Sequence, residues 1–277
     1  MAGDIPGCEL SVMEDTAKIA TLGPNLSHSL YRALTADKDE LRQVLQSSSM
    51  EVLHAALKNP ALDEAHLLAL LERRDLSEEL LKSVYGLPAV GESHKLKVAV
   101  VRNPCTPGPV TLALLPHLYL FELVAICSLP GATPDQKVAA ERAVIQRLPA
   151  IPLGNKLTLA RRGTSSIIEA LLQEGDPQVI DACLTNPRLK ESAIFRFLSS
   201  ARAGAETISM IARHPRWKTR PNLITALLRN QKTPVVWYTL FLPSLNTAEI
   251  RNLLASHRLS QAQKNAVGEE LKQRGQR

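Results

Sequence analysis

The stretch LHAALKNP (Leu53–Pro60) closes an apolar run with Asn-Pro, and the chain repeats this pattern. It recurs as VAVVRNP (Val98–Pro104), as IDACLTNP (Ile180–Pro187) and, with His in place of Asn, as ISMIARHP (Ile208–Pro215). Each copy predicts a short amphipathic helix. The helix should end at a residue that tolerates left-handed geometry, because the Pro that follows cannot continue it. Repetition at intervals of a few tens of residues is typical of a helical solenoid.

Helix starts are marked as clearly as helix ends. A capping residue precedes Pro four times, at Thr106-Pro107, Thr133-Pro134, Asp176-Pro177 and Thr233-Pro234. We expect each side-chain oxygen to accept a hydrogen bond from a free backbone amide at the helix start. Pro at the first helical position loses no intrahelical hydrogen bond, because an N–H there would have no partner within the helix. Between starts and ends the apolar residues recur three and four positions apart. The sequence therefore predicts an all-α fold of two-helix repeats, with three residues in matching positions: Asn59, Asn103 and Asn186.

The spacing of these signals divides the chain into three regions. Residues 1–48 are predicted to form an N-terminal helical cap, and residues 49–258 an α-helical repeat solenoid. Within the solenoid, the Gly- and Pro-containing segment 85–95 is expected to be a loop insertion. Residues 259–277 are interpreted as a C-terminal capping helix with a basic tail.

The order of Asn-Pro, helix start and Leu-rich helix resembles the leucine-rich-repeat-variant family of bacterial proteins. The best copy is RNPCTPGPVTLALL (Arg102–Leu115), and KNPALDEAHLLALL (Lys58–Leu71) and TNPRLKESAIFRFL (Thr185–Leu198) are similar to it. The resemblance implies a right-handed α-solenoid of short two-helix repeats, related to HEAT and armadillo proteins. Founding members of the family are associated with a cysteine-bound iron–sulfur module. This chain lacks that cysteine cluster, so we expect no cofactor.

Composition favours a cytoplasmic protein that does not enter a membrane. The N-terminal residues include acids and no apolar signal segment. The longest apolar stretch, 110–130, contains Pro116 and Glu122, which favours a corner between two buried helices over a membrane span. Cys127 and Cys183 lie in apolar helical runs, so we expect both to be buried free thiols.

The sequence shows no catalytic or metal-binding motif. Neither His-Glu-x-x-His nor Gly-x-Ser-x-Gly occurs, and the seven histidines lack ligand spacing. We therefore expect a non-enzymatic protein with no catalytic, cofactor-binding or metal-binding residues. A remote enzymatic alternative is a DNA-alkylation-repair-type repeat glycosylase, with Asp181 or Glu206 as the acid and Trp217 as the aromatic residue.

Charge is distributed unevenly along the chain. Residues 1–150 contain 14 Lys and Arg against 18 Asp and Glu, whereas residues 151–277 contain 19 against 9. Because the turns of successive repeats stack along one edge of a solenoid, the basic residues at these turns are expected to form a surface for an anionic partner. The alternative is that they complement helix dipoles and aid solubility. The candidate residues are Arg161, Arg162, Arg188, Arg213, Arg216, Trp217, Lys218 and Arg220.

Two functions are compatible with these features. The leading hypothesis is a scaffold that binds a protein partner through the curved surface of the helical array. The second is a nucleic-acid-binding solenoid that uses the basic residues 151–277. In the second hypothesis Trp217, which lies between two basic residues, is an exposed platform for stacking bases, while Trp237 belongs to the core.

Overall fold

The structure is a computed structural model that describes residues 24–255 and 258–275. Every regular element within these ranges is a helix, so the predicted all-α class is confirmed. The chain divides into two compact units, unit 1 up to Ala143 and unit 2 from Val144 onward. The first 23 residues of the predicted N-terminal cap lie outside the described residues.

The helices of unit 1 are short, as the spacing of the stop signals predicted. They are α1 (Pro24–Thr35), α2 (Lys38–Val44), α3 (Met50–Ala56), α4 (Glu64–Leu71), α5 (Glu78–Tyr85), α6 (Pro88–Glu92), α7 (His94–Arg102), α8 (Gly108–Leu114), α9 (Leu120–Cys127) and α10 (Pro134–Arg147). The last of these crosses into unit 2. A 3-10 turn, Leu115–His117, joins α8 to α9 and forms the predicted corner at Pro116.

Unit 2 continues with helices of the same kind. They are α11 (Leu153–Arg162), α12 (Ser165–Glu174), α13 (Pro177–Thr185), α14 (Glu191–Leu198), α15 (Ala205–Arg213), α16 (Pro221–Leu228), α17 (Val235–Phe241), α18 (Thr247–Leu254) and α19 (Gln261–Gly275). Two 3-10 turns, Leu148–Ala150 and Leu242–Ser244, precede α11 and α18. The helix predicted for residues 259–277 is α19.

Within each unit, alternate helices pack side by side and form two layers. Layer A contains α1, α3 and α5 in unit 1, and α11, α13 and α15 in unit 2. Layer B contains α4, α7 and α9 in unit 1, and α12, α14 and α16 in unit 2. Helices of this length are marginal in isolation, so packing of their buried Leu, Ile and Val side chains must stabilise them. The turns that follow the layer A helices form edge A of each unit, and those that follow the layer B helices form edge B.

Unit 2 repeats unit 1 at an offset of 127 residues without a gap. Helix α4 begins at Glu64 and α14 at Glu191 (191 minus 64), and both contain eight residues. The pairs α8 and α17, and α9 and α18, obey the same offset at both ends. Side-chain contacts follow it as well, since the amides of Gln136 and Gln263 donate to the carbonyls of Thr106 and Thr233. The chain therefore contains a long duplication, each half of which holds several helix pairs.

Asparagine side chains connect four of the described edge turns, two in each unit, to the preceding turn of the same edge. On edge A, the side-chain amide of Asn186 donates to the carbonyls of Ala160 and Arg161 at 2.8 and 2.9 Å. Its counterpart Asn59 donates to Ala33 and Ala36. Each amide oxygen also accepts from the backbone N–H two residues later. One side chain thus satisfies the carbonyls at one helix end and shapes the next turn.

The sequence had suggested that the asparagines end helices through left-handed backbone geometry. In the structure they act through the side-chain amide instead. Asn103 and Asn186 are extended, with φ of −70° and −71° and ψ of 125° and 127°. Asn103 lies on edge B, where it donates to Leu71 and Arg73, and its counterpart is Asn230. The prediction that Asn59, Asn103 and Asn186 occupy one repeat position is therefore wrong for Asn103.

Two of the four predicted helix starts have the expected caps. Asp176 accepts hydrogen bonds from two amides of α13, and Thr133 accepts one from α10. Thr106 and Thr233 do not cap α8 and α17, which begin one residue later than expected. Their hydroxyls instead donate to the carbonyl six residues earlier, at 2.6 Å in both cases. Thr-Pro here closes the preceding helix.

The segment 85–95 is not a loop insertion. It contains helix α6, the last residue of α5 and the first residues of α7, and it corresponds without a gap to residues 212–222 of unit 2. Within the described ranges, no helix is both long enough and apolar enough to span a bilayer.

Candidate ligand-binding edge

Edge A of unit 2 brings the predicted surface residues together from three successive turns. The turns follow α11, α13 and α15. The guanidinium of Arg188 donates to the carbonyls of Arg162 and Gly163 at 3.1 and 3.2 Å, which joins the second turn to the first. Arg216 joins the third turn to the second, because it donates to the carbonyls of Asn186, Pro187 and Leu189. The expected stacking of these turns along one edge is therefore present within unit 2.

Arg188 and Arg216 have structural roles on this edge. Their guanidinium groups donate to carbonyls at and just after the C-terminal ends of α11 and α13. A cation at a helix C-terminus also complements the negative end of the helix dipole. The Arg216 guanidinium lies 4.3 Å from the ring centroid of Trp217, which adds a cation–π contact. These two side chains are thus less available to a partner than the other predicted residues.

Trp217 is not an exposed stacking platform, so this part of the prediction is wrong. Its side chain is 2% exposed, and its indole N–H donates to the carbonyl of Leu184 at 3.0 Å. Trp237, predicted to lie in the core, is half-buried, stacks on Phe241 and donates to the Ser209 hydroxyl.

The remaining predicted residues are exposed cations. Among the described residues, no hydrogen bond or ion pair engages the side chain of any member of this group. Lys190, which sequence reasoning missed, lies on the same edge and is exposed as well. We call this set the free edge cations: Arg161, Arg162, Lys190, Arg213, Lys218 and Arg220.

An open groove of about 620 Å³ adjoins the edge on the outer side of layer A. Arg161 and Arg213 line it together with Asp181 and Glu206, the two acids considered for a glycosylase. Burial lowers the pKa of His214, and the negative charge of Asp181 opposes that shift, so Asp181 lies close to the third turn. Acids and cations therefore both line this groove, and the buried Trp217 does not line it.

The corresponding edge of unit 1 lacks these cations. The residues at the six equivalent positions are Leu34, Thr35, Asp63, Gly86, Gly91 and Ser93. Helices α1 and α11 nevertheless end at equivalent residues, Thr35 and Arg162, and the asparagine contacts are retained. The fold of this edge thus forms without the basic residues.

A second open groove, of about 830 Å³, lies on layer B of unit 2. Phe195, which is 48% exposed, lines it with Asn222 and Asn252. The two asparagine side chains make no hydrogen bond to any described residue. Sequence reasoning missed this groove, because its residues come from α14, α16 and α18 and share no motif.

The cysteines follow the sequence prediction where the structure describes them. Cys127 and Cys183 are buried free thiols, and burial raises the pKa of each to about 12. Cys105 is partly exposed and its thiol donates to the carbonyl of Arg74. Across the described ranges, no three His, Cys, Asp or Glu side chains are grouped so as to hold a metal ion.

Comparisons with family models, with curated proteins and with solved structures found no match to this chain. The resemblance to the leucine-rich-repeat-variant family therefore rests on the Asn-Pro and Leu-rich motifs. The structure supports its coarser implication, since the helices pack in neighbouring pairs that are compatible with a helical repeat.

Proposed function

We propose that this chain is a cytoplasmic, non-enzymatic scaffold that binds a protein partner through the surface of a helical array. Each unit would then be a segment of an α-solenoid of the HEAT, armadillo or leucine-rich-repeat-variant kind. The support for this arrangement is the contact that an asparagine makes, twice in each unit, between an edge turn and the turn before it. The right-handed twist is expected from the family resemblance.

The observation that carries the proposal is the layer B groove of unit 2. A large exposed aromatic side chain there lies beside two amide side chains with unused donors and acceptors. Aromatic residues are enriched where protein surfaces meet, and asparagine amides can pair with both the N–H and the C=O of a polypeptide. Phe195, Asn222 and Asn252 are therefore the residues that we expect to contact the partner.

The experiment is affinity capture of the partner from cells that express the protein, after nuclease treatment. We expect the wild type to retain a specific protein that a Phe195→Ala, Asn222→Ala double variant loses. Leu112→Ala is the control, because Leu112 is 57% exposed but lies in unit 1. Equal capture by all three proteins would reject the groove, and capture that vanishes on nuclease treatment would reject the protein-scaffold function.

Nucleic-acid binding is the second candidate function, because unit 2 carries the free edge cations. If they contacted phosphates, the affinity for DNA would fall steeply with salt, at a slope of about −0.7 to −0.9 per contact. Arg213→Glu would then weaken binding to every sequence alike, since phosphate contacts carry no sequence information. The scaffold proposal expects weak DNA binding that this substitution leaves unchanged, and a fluorescence anisotropy titration at two salt concentrations separates the two.

A further inference from the structure

We propose that edge A of unit 2 is a docking surface for an acidic, extended segment of the partner protein. The inference rests on the proposed scaffold function and adds the chemistry of the partner and the place where it binds. Its residues are the free edge cations, which come from three turns fixed in series by the side chains of Asn186, Arg188 and Arg216.

These cations are not needed by the fold. Unit 1 builds the same edge with Thr35, Gly91 and Ser93 where unit 2 has Arg162, Lys218 and Arg220. Helix-dipole complementation is met in both units, since Arg32 and Lys82 lie in the last turns of α1 and α5 as Arg161, Arg162 and Arg213 lie in those of α11 and α15. Unit 2 has in addition Lys190, Lys218 and Arg220, where unit 1 has Asp63, Gly91 and Ser93. The charge is therefore a property of this edge beyond what stacking of the turns requires.

The spacing of the three turns fits an extended polypeptide. Neighbouring helices in a layer lie about 8–10 Å apart, so three successive turns extend over roughly 20 Å. An extended polypeptide advances about 3.3 Å per residue, so about six residues would cover this distance. Cations arranged along a line, with no intramolecular partner, match a run of Asp and Glu better than a single phosphate or carboxylate.

The acids of the neighbouring groove favour an acidic polypeptide over nucleic acid. Asp181 and Glu206 face the groove beside Arg161 and Arg213, and a continuous phosphate backbone laid along it would meet them. A polypeptide can instead present its own Lys or Arg to these acids. Single strands would also find no base platform on this edge, because Trp217 is buried.

The duplication supplies a variant that should keep the fold. Arg162→Thr, Lys218→Gly and Arg220→Ser introduce the residues that unit 1 has at these positions, and they spare Arg188 and Arg216. The matched control removes the same charge elsewhere in unit 2 through Arg251→Gln, Lys264→Gln and Lys272→Gln. Circular dichroism and urea unfolding confirm that both variants are folded before binding is measured.

The probe is a fluorescent peptide of about ten Glu residues, long enough to cover the three turns, titrated by anisotropy at physiological salt. We expect the edge variant to bind it about tenfold more weakly than the wild type, and the control variant within about twofold. An equal loss in both variants would overturn the proposal, since binding would then follow net charge alone. So would tighter binding of single- or double-stranded DNA of the same length that the edge variant abolishes.

Capture of the cellular partner by the same edge variant distinguishes the two proposals. If the edge variant loses peptide binding and captures less partner, both the docking edge and the scaffold function are supported. If it captures the partner as well as the wild type does, while Phe195→Ala, Asn222→Ala does not, the docking edge is wrong and the scaffold function stands. If no variant, and not even the wild type, retains a nuclease-resistant partner, the scaffold function itself fails.

Discussion

Asn186 combines two tasks that a short helical repeat must perform wherever one turn meets the next. Its amide N–H groups satisfy two carbonyls at the end of α11, and its oxygen accepts the N–H of Arg188. A carboxylate could accept from Arg188 but would face the two carbonyls without a proton, and a hydroxyl is too short to reach both sides. Where His214 replaces Asn, only the acceptor half survives, through Nδ1 and the N–H of Arg216.

Asn186→Ala should destabilise the protein, because it leaves two carbonyls without their donor and Asn186 itself is only 4% exposed. Unsatisfied buried groups of this kind cost about 1–3 kcal/mol each, so we expect a loss of a few kcal/mol in urea unfolding. Asn222→Ala is the control, since Asn222 is exposed and unbonded among the described residues. Similar unfolding midpoints for the two variants would contradict the role of the asparagine.

Substitutions of the two tryptophans should differ in their effect on the stability of the protein and not in their effect on nucleic-acid binding. Trp217→Phe keeps most of the ring but leaves the Leu184 carbonyl without its donor, which should cost about 1–3 kcal/mol. Trp237→Phe removes a hydrogen bond to a half-exposed hydroxyl and should cost less. Thermal unfolding of the two variants compares them. A selective loss of single-stranded DNA binding in Trp217→Phe would show that the ring is accessible after all.

The reactivity of Cys105, Cys127 and Cys183 with an alkylating reagent should follow their exposure. With a pKa near 12, Cys127 and Cys183 are almost entirely protonated at pH 8, and only the thiolate reacts with iodoacetamide. We expect peptide mapping of the native protein to find Cys105 alkylated and the two buried thiols intact. In denaturant all three should react. Rapid labelling of Cys183 in the native protein would mean that the contact between α12 and α13 opens easily.

At the scale of elements, the sequence predicted the positions of the helix ends better than the side-chain hydrogen bonds that cap them. Proline and apolar spacing locate most of the boundaries that they mark to within one or two residues, because a helix cannot continue through Pro. The caps were harder to predict, since a Thr hydroxyl can accept from the following helix or donate to the preceding one. Thr133 does the first and Thr106 the second, although both precede Pro. Only the position of the neighbouring carbonyls decides between them.

Helix α13 provides a test of the core. Ile180 is fully buried in it, and Ile180→Ala should cost about 2–5 kcal/mol through the cavity it creates. Arg188→Ala, just beyond the same helix, loses hydrogen bonds from an exposed side chain and should cost less than about 1 kcal/mol. Both can be measured by urea denaturation. An unfolding midpoint unchanged by Ile180→Ala would mean that the assigned face of α13 is not buried.

At the scale of the whole molecule, the two units have turns of the same construction at equivalent positions, and they differ in their charge. The 127-residue offset is present in the sequence, but the Asn-Pro motif points to a shorter period because it occurs on both edges. Burial resolves the ambiguity, since residues such as Leu57 and Leu184 are buried in both units at equivalent positions. All the free edge cations except Lys190 were located from the sequence, whereas the structural roles of Arg188 and Arg216 depend on carbonyls about 26 to 30 residues away.

An exchange of turns tests this register directly. Replacing Asn186-Pro-Arg-Leu-Lys190 by the unit 1 sequence Asn59-Pro-Ala-Leu-Asp63 keeps the asparagine and the leucine, and should change the unfolding free energy by no more than about 1 kcal/mol. Replacing it by the edge B sequence Asn103-Pro-Cys-Thr-Pro107 puts Thr where Leu189 is 2% exposed. That exchange loses a buried apolar side chain and buries a hydroxyl, which should cost about 2–4 kcal/mol.

Urea unfolding of the two exchanged proteins distinguishes the two possible registers. If all Asn-Pro turns occupied one repeat position, the edge B sequence would fit as well as the unit 1 sequence, because both begin with the same dipeptide. The 127-residue register requires the edge B exchange to be the more damaging. It also requires the unit 1 exchange to leave a folded protein whose edge A has lost the charges of Arg188 and Lys190. A stable protein with the edge B exchange, together with an unfolded protein with the unit 1 exchange, would exclude the 127-residue register.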